Sequence, residues 1–595
     1  MNSSSGRVLV RQIVSSLRAA TTLQNQQSKR YVQQQSNAVS EAHDKCSCYT
    51  PSEGYIRTSP FDPVAIPDLT LDRYVWENVN KWQNKIAATC IVTGRQYTYA
   101  QLRDRSAALA LRLQEKFKLK PRDVLAICLP NIPEYPIAFL GSVEAGLTIT
   151  TVNPMYTAEE IGRQLNNSNA QMVIGTVAGY QLLKDACKAA NRRIPICCIK
   201  THKNDSIPEG AVDFSEIIDP KHCDFSQLKP TGITIDDMVV LPYSSGTTGM
   251  PKGVMLSHKN ITVNCEMTYT GSPYPPLLED TTETVQEVCP GILPFFHIYG
   301  LSLIMLAKLK MGCKLVTMPR FNPDDLISTL YEQKASILYL VPPIILFLIN
   351  SPKVQKKHME HLKVVMSGAA PIGALDAERL VTKYPNVAFV QGYGMTETSP
   401  VIMMGHRGMT KYASVGFVTP NTEAKIASLD GENRIGLGPN AVGEVCVRGP
   451  QVMKGYLNNE EATKDIFLDG GWIRTGDVGY YDEEGYFFIT DRMKELIKVK
   501  GFQVPPAELE ELLRDHPKIL DAAVLGVPHE KHGEVPRAFV VLRPNMQATE
   551  KEIQEFVEEK VAVYKKLDGG VKFLDDIPKS VAGKILRREL KEKYC

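Results

Sequence analysis

The chain has 595 residues, 43% of them apolar and 23% charged, with a net charge of +2. That length predicts several structural units with ample core, in a composition ordinary for soluble globular proteins. So small a net charge gives no electrostatic footprint for nucleic acid or an anionic membrane. The 13 cysteines are odd in number and scattered. Only Cys46/Cys48 and Cys197/Cys198 lie close together, and neither pair has metal-site spacing, so they read as free thiols in a reducing compartment. The most apolar run, 337–349, is too short to cross a bilayer and is broken by Pro342-Pro343, which makes it core.

The first 40 residues stand apart. They carry Arg7, Arg11, Arg18, Lys29 and Arg30, many Ser and Gln, and no acid before Glu41. On a helix, Arg7, Arg11 and Arg18 share a face beside Val10, Ile13 and Leu17. That is a mitochondrial transit composition, with a disordered tail as the alternative. The C-terminal Lys593-Tyr-Cys595 is not a peroxisomal tripeptide.

From Thr98 the pattern alternates between helix and strand. Thr98-Tyr-Ala-Gln101 is a capping box opening a helix to 117. Strands are expected over 123–129, 147–151 and 171–175, with a helix over 136–145 and another capped by Thr157-Ala-Glu-Glu160. Such alternation predicts parallel sheets covered by helices, an α/β class.

Tyr243-Ser-Ser-Gly-Thr-Thr-Gly-Met-Pro-Lys-Gly253 follows an apolar strand at 238–243 and precedes a second expected strand at 254–256. Four hydroxyls, three glycines and Lys252 suit a chain of phosphates. The loop joins two strands, and Pro251 sits where a Walker loop needs Gly, so it is no Walker loop. The alternative is a polar surface hairpin. Pro294-Phe-Phe-His-Ile-Tyr299 sets one histidine among apolar residues, a pattern usual for a satisfied core imidazole. Further on come Gln391-Gly-Tyr-Gly-Met-Thr-Glu397, Thr475-Gly-Asp477, Asp491-Arg-Met-Lys-Glu-Leu-Ile-Lys498 and Pro578-Lys-Ser-Val-Ala-Gly-Lys584.

After residue 494 the texture changes. A helix is expected over 506–516 with Leu509, Leu512 and Leu513 inward, strands over 520–525, 537–542 and 571–574, and an acidic helix from the Thr549 cap to Tyr564. This reads as a separate α+β unit of about 100 residues.

Five motifs in this order resemble those of the adenylate-forming enzymes, the family of acyl-CoA synthetases, 4-coumarate–CoA ligases, beetle luciferases and peptide-synthetase adenylation domains. The resemblance covers roughly 60–590 and is closest to 4-coumarate–CoA ligase-like enzymes. It implies an α/β fold with a large N-terminal domain of helix-covered sheets and a small mobile C-terminal α+β lid. The corresponding division is a leader over 1–45, an ATP- and acyl-binding domain over 60–493 and a lid over 494–595, hinged at Lys494.

The resemblance also implies a reaction: a carboxylic acid is activated by ATP as acyl-AMP and then passed to coenzyme A. The developing phosphoryl charge calls for cations and aimed donors. Carried over residue by residue, Ser244, Ser245, Gly246, Thr247, Thr248 and Lys252 would hold the β- and γ-phosphates. Ala369, Gln391, Gly392 and Tyr393 would border the adenosine, with Tyr393 stacking on adenine. Thr396 would donate to the α-phosphate and Glu397 would hold Mg²⁺. Asp477 and Arg492 would fix the ribose. Lys584 would bridge the acyl carboxylate and α-phosphate, where a lone lysine near a C-terminus is ordinarily a solvated charge. Lys498 and Gln503 would serve thioester formation, with Lys500 and Gly501 near the pantetheine path. Alternatively, Lys498 and Lys500 form an exposed basic strand edge. Arg320 matches a coenzyme A phosphate contact. His297, Ile298, Tyr299, Gly368 and Gly392 would line an acyl pocket with room for an aromatic ring or an alkyl chain.

The leading expectation is an acid–CoA ligase of 4-coumarate or medium/long-chain fatty-acid type. The alternatives are a luciferase-like monooxygenase and an adenylation enzyme for a separate carrier protein. Pro400 disfavours the monooxygenase, because beetle luciferases usually have Ser there.

Overall fold

A computed structural model describes residues 47–221, 223–244, 250–269, 277–429, 434–499, 502–529, 531–580 and 583–595. The expected leader over 1–45, together with Ser245, Gly246, Thr247, Thr248, Lys500 and Gly501, lies outside the described residues.

The N-terminal domain is built on layered sheets. One seven-stranded sheet runs Leu256–Ser257, Met238–Val240, Thr148–Thr151, Val124–Ile127, Ala170–Thr176, Ile196–Ile199, Val212–Asp213. It is parallel throughout except at Leu256–Ser257. Its central strands are buried from end to end, as strands covered on both faces must be. In a second sheet Ile337–Leu340, Val364–Ser367 and Ala388–Gly394 are parallel, and Val401–Met404 and Phe417–Val418 turn back antiparallel. A four-stranded sheet of Val288–Gly291, Lys314–Thr317, Ile86–Cys90 and Gln96–Thr98 completes the mainly parallel part.

Both expected capping boxes form. Thr98 and Gln101 close one, and Thr157 and Glu160 close the other. The first helix is Tyr99–Glu115, two residues shorter than expected. The apolar run at 337–349 divides into the strand Ile337–Leu340 and the helix Pro342–Asn350. The prolines at the start of that helix need no amide hydrogens there. Ile337, Leu338, Leu340, Ile345 and Leu348 are fully buried.

Two expectations are corrected. Residues 254–256 do not form a strand. Lys252–Gly253 pairs with Tyr243–Ser244, Val254 makes a lone bridge to Tyr456, and Leu256–Ser257 joins the seven-stranded sheet. The helix capped by Thr549 ends at Glu558, not Tyr564. Ala562 is extended, and Tyr564 leaves the helix line to stack on Phe502 at 4.5 Å.

Parallel sheets alone do not describe the domain. Gly54–Thr58, Glu423–Ala427, Gly443–Arg448, Trp472–Tyr481 and Phe487–Arg492 belong to an antiparallel sheet that carries the Thr475-Gly-Asp477 motif. The C-terminal unit has its own sheet, Phe502–Val504, Ile497–Val499, Gly533–Leu542, Ile519–His529, with Val571–Phe573 added beside Gly533–Leu542. Its core is separate: Leu509, Leu513, Val524, Val540, Ile553 and Val557 pack together, while Leu512 stays partly exposed. Among the described residues no helix is long and apolar enough to cross a membrane.

A separate core melts separately. Leu509→Ala is expected to remove about 2–5 kcal/mol from the C-terminal unit, the range for emptying a buried leucine site. Calorimetry should then show an added low-temperature transition while the main transition holds its place.

Candidate active site

The phosphate-loop motif is anchored as a ribbon. Tyr243 pairs with Gly253 and Ser244 with Lys252, so the two ends of the loop are held together. A side chain at 253 would meet the Tyr243 ring at 3.1 Å. Lys252 places its ammonium 4.9 Å from the centre of the Tyr456 ring. Tyr456 in turn donates from its hydroxyl to Glu397 Oε1 at 2.8 Å. The backbone locks the same partners. Met453 N–H donates to the Glu397 carbonyl at 2.8 Å, and Leu457 N–H donates to the Gly253 carbonyl at 2.8 Å. Tyr456 and its segment carry no motif, and the sequence reading did not single them out.

Glu397 is only 6% exposed. A single buried carboxylate, braced by a phenol and facing the phosphate ribbon, suits Mg²⁺, which keeps several waters and substrate phosphates among its ligands. Among the described residues no group of three or more His, Cys, Asp or Glu converges on a metal site.

The ribose motif lies across a strand pair. Asp477 is in register with Arg492, and Arg492 Nε stands 3.7 Å from Asp477 Oδ1. Gly476, at φ +72°, makes the turn in the strand that a side chain would resist. Tyr393 donates its hydroxyl to Asp477 Oδ2 at 2.6 Å. Burial raises the pKa of Asp477, and the Arg492 guanidinium and the Tyr393 hydroxyl pull it back down.

Lys584 closes the site from the C-terminal unit. Its loop folds on itself: Gly583 N–H donates to the Ser580 carbonyl and Ser580 N–H to the Lys584 carbonyl, each at 2.8 Å. Gly583 has φ +76°, and a side chain there would meet Val341 of the N-terminal domain at 3.0 Å. Burial lowers the pKa of Lys584 to about 8, and Arg492 adds to the fall. Asp477, Glu397 and Glu495 oppose it. Burial and, second, the Lys584 ammonium lower His297 to about 4, so its imidazole is neutral at pH 7. His297 Nδ1 accepts the Tyr299 N–H at 3.3 Å.

The expected acyl-pocket residues form a wall of small and apolar groups. Ile298 and Tyr299 are buried. The Tyr299 ring lies 3.0 Å from where a side chain of Gly368 would start, and the Met366 methyl lies 2.5 Å from the same point at Gly392. Ala369 holds φ +68°, an uncommon value for a residue with a side chain. Gln391 is buried, and its amide donates to the carbonyls of Ile372 and Tyr412. These bonds brace the loop.

Thus Lys584, His297, Asp477, Arg492, Tyr393 and Glu397 come together, with Thr396 beside Glu397 and Lys252 reached through Tyr456. Lys498 does not join them. Its strand Ile497–Val499 pairs with Phe502–Val504, with Lys498 in register with Gln503, and Lys498 is exposed, its N–H donating to Glu534 Oε2 at 3.0 Å. Lys494 is exposed between the two units. Arg320 lines a separate cleft of about 600 Å³ with Arg95, His202 and Phe321. Glu495 was missed by the sequence reading although it sits inside the hinge motif. It stands 3.8 Å from Arg492 and accepts from Arg587 Nε at 2.7 Å.

The AMP-binding enzyme family model matches residues 75–457, and the AMP-binding enzyme C-terminal domain model matches 508–584. The chain belongs to the AMP-binding enzyme family. It is 40% identical over 554 residues to 4-coumarate--CoA ligase 1 of Petroselinum crispum, covering 92% of this chain and 98% of that one. It is 38% identical over 569 residues to 4-coumarate--CoA ligase 1 of Arabidopsis thaliana, covering 94% and 99%. Among solved structures, ATP-bound MatB from Rhodopseudomonas palustris superposes with a TM-score of 0.77 at 26% identity, covering 89% of this chain and 99% of that one.

In the role the resemblance implies for it, Lys584 neutralises phosphate charge only when protonated, so its titration should set a limb of the rate profile. With a pKa lowered to about 8, kcat/KM for adenylate formation should fall as pH rises through about 8. Lys584→Arg stays charged throughout and should lose that limb. Pyrophosphate exchange measured between pH 6.5 and 9.5 checks it.

Proposed function

We propose that this chain is an AMP-forming acid–CoA ligase acting on an aromatic or aliphatic carboxylic acid, with ATP and coenzyme A as co-substrates. The observation that carries this reading is the convergence of Lys584, from the C-terminal unit, on Asp477, Arg492, Glu397 and His297 of the N-terminal domain.

In the first half-reaction a carboxylate oxygen attacks the α-phosphorus. A new P–O bond forms and the bond to pyrophosphate breaks. Both reactants are anionic, so the barrier falls where cations already stand in place. Lys584 meets the carboxylate and the α-phosphate together. Asp477 accepts from the ribose hydroxyls, with Arg492 fixing its orientation. Lys252 neutralises the outer phosphates. Glu397 would hold Mg²⁺, which supplies charge neutralisation across the phosphates when bound. The neutral imidazole of His297 adds no charge beside the acyl group.

In the second half-reaction the coenzyme A sulfur attacks the acyl carbon. The C–S bond forms, the C–O bond to AMP breaks, and the thiol proton leaves. Lys498 and Gln503 serve this step once the C-terminal unit has turned about Lys494. The exposed position of Lys498 supports that division of labour, since it is kept away while Lys584 is in place. Arg320 and its cleft offer a cation to the coenzyme A phosphates. The apolar wall of Ile298, Tyr299, Met366, Gly368 and Gly392 favours a cinnamate-like or medium- to long-chain acid. The basic, acid-free N-terminal segment supports a mitochondrial location.

Two experiments test this. A panel of cinnamic, benzoic, medium-chain and long-chain acids, scored for AMP release that needs both ATP and coenzyme A, should yield at least one substrate. With that acid, Lys584→Ala should slow pyrophosphate exchange by about 10²–10³-fold, the loss seen on removing one preorganised donor, and should still convert supplied acyl-AMP to thioester. Lys498→Ala should show the reverse. Equal loss of both half-reactions in both variants would remove the two-surface mechanism.

A further inference from the structure

Glu511 sits on the helix Pro506–Arg514 of the C-terminal unit and faces the start of Ala374–Lys383 in the N-terminal domain. That second helix begins at Gly373, which offers no side chain to cap it. The φ of Gly373 is −62°, a value open to any residue, so backbone freedom does not account for the glycine. Space does. A side chain at 373 would begin 2.6 Å from Glu511 Oε1 and 3.1 Å from its Cδ. The glycine makes room for a carboxylate from the other domain.

The electrostatics are mixed, because the helix start favours the ionised carboxylate and burial disfavours it. The first turn of a helix presents unpaired N–H groups and partial positive charge, and a carboxylate placed there is stabilised. Burial raises the pKa of Glu511, and Arg514 lowers it. Asp515 raises it, the Ala374 N–H lowers it, and Asp376 raises it. Asp515, on the same edge, is raised by burial and then by Asp376 across the boundary. The seam therefore sets the Ala374 N–H and Arg514 against burial and the carboxylates of Asp376 and Asp515, with Asp376 itself paired to Arg379 at 2.9 Å. A contact balanced in this way can hold a domain and also release it.

The dock bears on the site itself. Gly373 ends the same loop that carries Gly368 and Ala369, and Gln391 exchanges hydrogen bonds with Ile372 next to it. We propose that Glu511 is a positioning residue for adenylation: its carboxylate caps the helix Ala374–Lys383 across the domain boundary and holds the C-terminal unit where Lys584 reaches the reaction centre. This rests on the ligase reading above, in which Lys584 serves the first half-reaction alone.

The test uses full-length Glu511→Ala, Gly373→Ala and the double variant. Each single variant should slow pyrophosphate exchange about three- to tenfold, the scale of a charge lost from a partly buried helix N-terminus. Each should leave thioester formation from supplied acyl-AMP within about twofold of wild type, a split that general damage to the fold does not produce. The three atoms nearest a side chain added at 373 all belong to Glu511 beyond its Cβ, so the double variant should be no slower than Glu511→Ala. Unchanged exchange in the single variants, parallel loss of both half-reactions, or a multiplied loss in the double variant would overturn the proposal. Wild-type protein that exchanges pyrophosphate with no acid in the panel would instead overturn the ligase reading beneath it.

Discussion

A lysine ammonium taken from water needs negative charge close by, or it gives up its proton. Lys584 sits on that edge. Asp477, Glu397 and Glu495 hold its charge, and burial and Arg492 work against them. Bound ATP and a carboxylate would tip the balance, because they bring more negative charge than the protein supplies. The rest of the molecule serves to bring the lysine beside those groups.

Two domains are needed for this. The N-terminal domain supplies Asp477 and Arg492 from one strand pair, Glu397 from a short turn and His297 from the start of a helix. No single element could present all of these to one point. The C-terminal unit supplies a lysine on a tight loop whose glycine passes close to Val341. Because the unit has a core of its own, it can move as a body without exposing the interior of the larger domain. Arg587 ties its last helix to Glu495 and Glu510, next to the junction of the two units.

Much of the site was legible in the sequence because its residues lie in compact motifs. Thr475-Gly-Asp477 and Asp491-Arg492 became facing strands with Asp477 opposite Arg492, and the loop motif at 243–253 became a ribbon joined at both ends. Both capping boxes formed as read, since each depends on residues only three apart. Tyr456 and Glu495 were not legible in the same way. Tyr456 matters because its hydroxyl reaches Glu397, 59 positions away, and Lys252 lies over its ring. Gln391 has a structural role that its motif does not spell out. It belongs to a binding motif, yet its side chain holds two backbone carbonyls.

The sequence alone determined the class of fold, the order of the motifs and the chemistry they can support, because alternation, capping and motif spacing are local properties of the chain. Tertiary structure decided which of two lysines stands beside Asp477 and Arg492, since Lys584 and Lys498 belong to one small domain and only its placement selects between them. It also decided the room at Gly373 that lets a carboxylate from one domain meet a helix of the other. Those outcomes depend on contacts between residues tens to hundreds of positions apart, and such contacts leave no mark in local spacing.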